Sequence, residues 1–173
     1  MREAFPDPMA KWTPTPDWRA ARLARPDWRA APVLGLHQTL LSGDLAAGFA
    51  ALSPKLESVG LWRIAPAPAA IRIARDRALV VSSQAPVLPW GWHDAGWAAT
   101  DASDAFIVFE LAGAALRSLV AEATSADLDA DSPSAAIQFA GVAALLYRAT
   151  EDCARLHVEF PFAPYVWRWL ETR

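Results

Sequence analysis

The strongest constraint on this chain is a change of hydrophobic period near its carboxyl end. Over residues 153–160 apolar and polar side chains alternate, with Leu156, Val158 and Phe160 on one side and Arg155, His157 and Glu159 on the other. A period of two describes a strand, here expected to have one wet face. The apolar run of residues 144–148 precedes it, and the polar stretch Ala149-Thr150-Glu151-Asp152 separates the two runs, so the pair reads as a hairpin. Pro164 then suits the first turn of a helix on which Val166, Trp169 and Leu170 share a face. A hairpin covered by an aromatic helix is a sheet-and-helix nucleus, which places the chain among the α+β folds.

Upstream, residues 36–41 alternate loosely as a strand, and Ser42-Gly43-Asp44 opens a helix with Leu45, Phe49 and Leu52 on one side. A further strand is expected over residues 59–64. A hairpin follows, with arms at 70–73 and 78–81 joined by Arg75-Asp76-Arg77. Residues 84–97 read as a loop of rigid and aromatic groups. Residues 105–111 form an apolar strand carrying one acid, Glu110, and 113–124 an amphipathic helix. A polar loop over 125–133 and a short strand over 136–140 lead into the closing hairpin. One order thus occurs twice: strand, helix, strand, hairpin, aromatic segment, over 36–92 and again over 105–169. The expected architecture is two similar halves sharing a mainly antiparallel sheet.

Residues 1–33 differ in character and are set apart as a Pro/Trp-rich arm, with the α+β domain over 34–173. Pro6, Pro8, Pro14, Pro16, Pro26 and Pro32 punctuate the arm. Inside it Pro16-Asp17-Trp18-Arg19-Ala20-Ala21 returns as Pro26-Asp27-Trp28-Arg29-Ala30-Ala31. Thr15 before Pro16 and Asp17 is a helix-start signal, so a short helix is expected there and one turn at the second copy. Exposed tryptophans are costly, and two placements are open: an arm folded over its own domain, or one reaching onto a partner. The partner-interface candidates are Trp12, Trp18 and Trp28 of the arm, with Trp97 and Trp167.

Composition narrows the function classes. The chain has 173 residues, enough for one domain with a real core. Its net charge is −3 without like-charge blocks, which does not indicate a nucleic-acid surface or a polybasic membrane anchor. One cysteine, Cys153, leaves no intrachain disulfide and fits a reducing cytoplasm. The amino terminus lacks the apolar centre of a signal peptide, and no apolar run approaches the ~20 residues of a membrane helix. Arginine outnumbers lysine, as in products of GC-rich bacterial genomes.

The residues that carry chemistry elsewhere do not assemble here. The 8 glycines show no phosphate-binding spacing, which removes a Rossmann route to a dinucleotide. His37, His93 and His157 have no metal-ligand spacing, so no metal is expected, and His157 is assigned to the solvated face of its strand. Cys153 reads as a structural thiol. Asp127, Asp129 and Asp131 alternate as in a calcium loop but lack its glycine and closing glutamate, so they read as a solvated loop. Glu110, if buried, requires an arginine or backbone donors. Ser42, Ser82, Ser83 and Ser103 have no nucleophile-elbow setting, and no catalytic residue is assigned. Trp90, Trp92 and His93, in the aromatic loop, are the candidate lining of a ligand cleft.

The run Phe162-Ala163-Pro164-Tyr165-Val166-Trp167-Arg168-Trp169-Leu170 resembles the carboxyl end of the gamma subunits of heterotetrameric sarcosine oxidases. Upstream, Ser42-Gly43-Asp44-Leu45, the charged hairpin turn at Arg75-Asp76-Arg77 and the stretch Asp101-Ala102-Ser103-Asp104 before an apolar strand are similar in placement. The resemblance covers residues 34–173, with its specificity in the final segment. It implies a fold similar to the folate-binding domain of aminomethyltransferases. It also implies a cofactor-free, non-catalytic bacterial subunit of an amine-oxidising, one-carbon complex whose larger chains carry the chemistry. The long amino-terminal arm departs from the family, and the acidic folate-anchoring residues of the transferases have no clear counterpart. Two alternatives stay open: a stand-alone domain that binds folate in the cleft between its halves, and a homo-oligomeric small-molecule binding module.

Overall fold

The computed structural model describes residues 15–52, 56–85 and 88–173. Among these residues the chain forms two six-stranded sheets, whose outer faces carry three short helices. The first repeat runs β1 (Leu23–Ala24), β2 (Arg29–Val33), β3 (His37–Gly43), α1 (Leu45–Ala50), β4 (Ser58–Val59), β5 (Ala69–Ala74) and β6 (Arg77–Ser82). The second runs β7 (Gly91–His93), β8 (Trp97–Asp101), β9 (Phe106–Ala112), α2 (Leu116–Ala123), β10 (Ala136–Phe139), β11 (Val142–Thr150) and β12 (Cys153–Glu159). A 3₁₀ turn, Phe160–Phe162, and α3 (Ala163–Glu171) complete the chain.

The expected α+β architecture of two similar, mainly antiparallel halves is present, and the halves are interleaved. One sheet has the order β1-β2-β9-β12-β11-β10 and the other β4-β5-β6-β3-β8-β7. The cores β9-β12-β11-β10 and β3-β6-β5-β4 therefore share one topology. Each core receives its outer hairpin from the other repeat: β2 pairs with β9, and β8 with β3. The one departure in pairing is β4, which runs parallel to β5, whereas β10 is antiparallel to β11.

This exchange revises several expectations. Residues 23–33, set apart as part of an arm, are a hairpin of the first sheet, with Val33 opposite Val108 and Arg29 opposite Ala112. Trp12 and the rest of residues 1–14 lie outside the described residues. The repeated hexapeptide takes two conformations. At the first copy Ala20 and Ala21 N–H donate to the Asp17 carbonyl, forming a single turn rather than a helix. At the second, Arg29, Ala30 and Ala31 are strand. The sequence is identical, so tertiary pairing with β9 overrides local propensity. Likewise the expected loop over 84–97 contains β7 and leads into β8, and the strand expected at 59–64 shrinks to β4 plus an isolated bridge from Ile64 to Arg148.

Packing fills three apolar layers. Phe109, Leu111, Leu146 and Leu156 of the first sheet meet Leu119 and Val120 of α2 and Val166, Trp167 and Leu170 of α3. On α3 the buried stripe is Ala163, Val166, Trp167 and Leu170, so Trp167 replaces the expected Trp169, which is half-buried against Phe139. Leu41, Val80, Trp97 and Ala99 of the second sheet pack on Leu45 of α1, whose first turn is capped by the Asp44 carboxylate accepting from Ala46 and Ala47 N–H. Between the sheets, Ile71, Leu79 and Val81 face Leu145 and Tyr147. The helices thus lie outside and the sheets face one another across a largely apolar middle layer.

Two equivalent glycines permit the exchange. Gly43 ends β3 at φ +96° and Gly113 follows β9 at φ +130°. A Cβ on Gly43 would strike the Gly96 carbonyl oxygen, and one on Gly113 the Asp27 carbonyl oxygen. Each of those carbonyls, in the turn of the incoming hairpin, accepts a backbone N–H one or two residues after the glycine: Asp44 to Gly96 at 2.9 Å and Ala115 to Asp27 at 3.0 Å. Gly141 also has positive φ (+86°) but open space at its Cβ position. We expect Gly141→Ala to cost about 1 kcal/mol for its backbone strain alone. Gly43→Ala and Gly113→Ala should each cost at least about 2 kcal/mol, because the hairpin must also retreat. Urea unfolding of the three variants measures the difference, and equal losses would refute the close-approach role.

Candidate functional site

The two repeats cross where the chain leaves each hairpin for the other sheet, over residues 34–36 and 102–105. Between these connections lies a groove of about 660 Å³, floored by Val33, Ile107 and Val108 and edged by Leu34, Phe106 and Phe160. Among the described residues, the ionisable side chains in its lining are His37 and Asp104. Leu34 and Phe160 are each about half exposed (51% and 50%), so the rim is apolar and open.

Beneath the groove sits a buried polar chain. Gln38, on β3 of the second sheet, is 2% exposed and His157, on β12 of the first, is fully buried. Gln38 Nε2 donates to the Ser103 and Phe106 carbonyls, both at 3.3 Å. Its Oε1 is thereby turned toward His157 and accepts from Nδ1–H at 2.7 Å. That fixes the tautomer, leaving Nε2 of His157 to accept from the Tyr147 hydroxyl at 3.4 Å. The Gln38 backbone joins the same connection: its N–H donates to Ser103 Oγ at 3.1 Å, and its carbonyl accepts from Ala102 N–H at 2.8 Å.

His157 therefore does not occupy a wet face. Sheet-on-sheet packing covers both sides of β12, and a period-two pattern cannot distinguish water from a second layer that carries its own polar partners. Burial, followed by the nearby Arg155 charge, lowers its pKa from 6.5 to about 3 and holds the ring neutral. Burial also raises the Tyr147 pKa, keeping that hydroxyl protonated as a donor.

Other polar groups are committed to structure. The Ser103 hydroxyl donates to Asp101 Oδ1 at 2.6 Å while accepting from Gln38 N–H, so its proton points at a carboxylate and one of its lone pairs is used. That hydroxyl, and then the Ser103 backbone N–H, hold Asp101 below the usual carboxylate range. Such a serine is a turn brace, not a nucleophile with a base. The Cys153 thiol is pushed up to about 11 by burial and then by the Glu110 carboxylate, which disfavours thiolate chemistry. Glu110 is half-buried and lies opposite Arg155 in the strand register. The three loop aspartates diverge: Asp127 accepts from Asp129 N–H, Asp129 pairs with Arg117 at 2.6 Å, and Asp131 with Arg63. Among the described residues no group of three or more histidine, cysteine, aspartate or glutamate side chains could hold a metal ion.

The sequence candidates fall elsewhere than expected. Trp90 and Trp92 are exposed on and beside β7 (52% and 70%), outside the groove. His93 stacks on Trp97 with ring centroids 3.7 Å apart and contacts the Pro89 carbonyl through Nε2 at 2.9 Å, a packed hairpin rather than a cleft wall. Of the expected interface residues, Trp28, Trp97 and Trp167 are core, and Trp18 is half-buried with its ring 5.6 Å from Phe109 and 6.0 Å from Trp167. Among the described residues the exposed large aromatics are Trp90, Trp92, Phe160, Phe162 and Tyr165 instead. Gln38, which organises the junction, carries no sequence signal beyond a polar residue inside an apolar strand.

The pH response of the junction follows from the lowered histidine. The unfolded chain binds a proton at His157 below about 6.5, whereas the folded chain resists it until about 3. Stability from this group is present above 6.5 and is lost as pH falls toward 3, with a limiting slope of about 1.4 kcal/mol per pH unit. His157→Gln should be less stable at pH 7 yet lose less on acidification. The wild-type-minus-variant stability difference, measured by denaturant unfolding at stepped pH, should shrink between pH 6.5 and 3, and a constant difference would contradict the neutral buried ring.

No family model matches the sequence, and no curated protein matches it. Among solved structures the fold matches a chain of the heterotetrameric sarcosine oxidase from Corynebacterium sp. U-96, determined in complex with pyrrole 2-carboxylate. The TM-score is 0.62 at 18% identity, covering 83% of this chain and 81% of that one. The architecture expected from the carboxyl-terminal segment is the one observed: this chain has the fold of a chain of heterotetrameric sarcosine oxidase.

Proposed function

We infer that the chain is a non-catalytic, gamma-like structural subunit of a sarcosine-oxidase-type complex, acting in the cytoplasm alongside larger chains that carry the amine-oxidising and one-carbon chemistry. The observation that carries this reading is the fold shared, over most of both chains, with a component of a heterotetramer. The junction agrees with it. The space between the sheets is filled by Ile71, Leu79, Val81, Leu145 and Tyr147, and the one histidine there is held neutral and fully engaged. Cofactor chemistry on this reading belongs to the partners.

The contact surface moves from the tryptophans now seen to be core to the groove rim. Leu34 and Phe160 expose large apolar area on one groove, with Phe162 exposed two residues further on, the kind of surface that a larger chain covers. No helix among the described residues is long and apolar enough to cross a membrane. A second reading draws on the groove itself, whose size and apolar lining suit a small molecule such as folate in a stand-alone binding domain.

Co-expression with the larger sarcosine-oxidase-type chains of the same organism separates these readings. The structural reading predicts stoichiometric co-purification, weakened at least tenfold in affinity by Leu34→Asp with Phe160→Asp while the melting temperature of the isolated chain holds. A chain that remains alone with all partners present overturns it. Saturable calorimetric binding of tetrahydrofolate, abolished by the same pair of substitutions, would establish the binding domain instead.

A further inference from the structure

A second cavity, of about 510 Å³, lies at the other meeting place of the repeats, where β5 passes the segment leading into β10. It is lined by Ser58, Arg72, Ala74, Arg75, Pro133 and Ser134. Two of these six are arginines and none is acidic. Glu57 and Asp76, the nearest acids in sequence, lie outside the lining.

Arg72 is half-buried and held in one orientation by neutral acceptors. Its Nε donates to Ser58 Oγ at 3.1 Å and its Nη1 to the Arg75 carbonyl at 2.9 Å. The backbone behind it is also fixed, with Ala135 N–H donating to the Arg72 carbonyl at 2.8 Å and Ser134 Oγ to the Ile73 carbonyl at 2.6 Å. Among the described residues, four arginines pair with side-chain carboxylates (Arg63, Arg117, Arg168 and Arg173), and neither Arg72 nor Arg75 is one of them. The Nη2 group of Arg72 has no protein acceptor among the described residues. A guanidinium partly removed from water, already oriented and without a carboxylate partner among the described residues, presents the planar fork that carboxylate and phosphate oxygens match. Arg75, exposed beside it at the β5–β6 turn, adds a second positive charge on the same cavity.

We propose that this cavity binds a small oxyanion, a carboxylate or phosphate group, between Arg72 and Arg75. Arg72 supplies the fixed donors and Arg75 the mobile charge. The ligand would bridge the two repeats, because Arg72 and Arg75 belong to the first and Ser134 to the second. The site is separate from the groove and independent of membership in any complex.

Titration of the isotopically labelled chain with sodium phosphate, and separately with sodium acetate, tests the site at ionic strength held constant with chloride, so that screening does not vary. Binding predicts saturable amide shifts centred on Ser58, Arg72, Ala74, Arg75 and Ser134. Arg72→Gln and Arg75→Gln should each weaken the affinity, by about tenfold or more for Arg72, as expected for loss of a charge-assisted pair. Arg75→Gln changes an exposed turn residue and keeps the test valid if Arg72→Gln unfolds the chain, while Arg19→Gln controls for general loss of charge. Saturation by phosphate alone assigns a phosphate group, by acetate alone a carboxylate, and by both a general oxyanion site. Linear, unsaturated shifts with both anions, or equal weakening by Arg19→Gln, would overturn the proposal.

Discussion

The amide of Gln38 is where the two repeats are tied together. It grips the Ser103 carbonyl in the second connection and the Phe106 carbonyl at the start of β9, while its oxygen engages His157 across the sheet-to-sheet layer. A polar group so placed is tolerable only when all its bonds are made, since an unpaired buried amide or imidazole costs about 1–3 kcal/mol. Here the requirement becomes a specification. Only one amide orientation and one histidine tautomer satisfy Ser103, Phe106, His157 and Tyr147 together, so the polar chain fixes the relative register of two sheets that otherwise meet through interchangeable apolar side chains.

Interleaving explains why that register matters. Each core sheet is completed by a hairpin from the other repeat, β1–β2 on β9 and β7–β8 on β3. A repeat folded alone would expose the flank of its first strand, and the incoming hairpin has nowhere to pair without the other core. This topology favours folding as one cooperative unit despite the internal similarity. The outermost strands are short: β1 and β4 have two residues each, β7 three and β10 four. Short edges offer little template for pairing with another sheet, which leaves side-chain surfaces rather than strand edges for recognition.

Most elements were legible because each rests on a local period or cap. The β11–β12 hairpin, the helix opened by Asp44 and the Pro164 helix are local statements, and all three stand. What was not legible depends on partners distant in the chain. The two Pro-Asp-Trp-Arg-Ala-Ala copies cannot be told apart by local chemistry, yet β9 draws one into the sheet and leaves the other a turn. His157 alternates as a solvent-facing residue does, and only the second sheet converts that face into a buried one. The tryptophans misled for the same reason. Their abundance is compatible with a core or with an interface, and Trp28, Trp97 and Trp167 proved to be core because the exchanged hairpins and α3 close over them.

The two open sites stand in different chemical relation to the fold. At the groove, polar capacity is spent internally: Ser103 on Asp101 and Gln38, Gln38 on His157 and two carbonyls. The surface left to the outside is mainly apolar, with Leu34 and Phe160 on its rim and His37 and Asp104 as its ionisable groups. At the second cavity the reverse holds, because Arg72 is positioned by neutral groups and keeps its charge uncompensated by any described carboxylate. An apolar rim over a saturated polar chain favours contact by shape and burial, as a neighbouring protein provides. An oriented guanidinium without a counter-ion favours a ligand that brings negative charge with it. Both lie where the repeats meet, so whatever occupies either one also strengthens the seam between them.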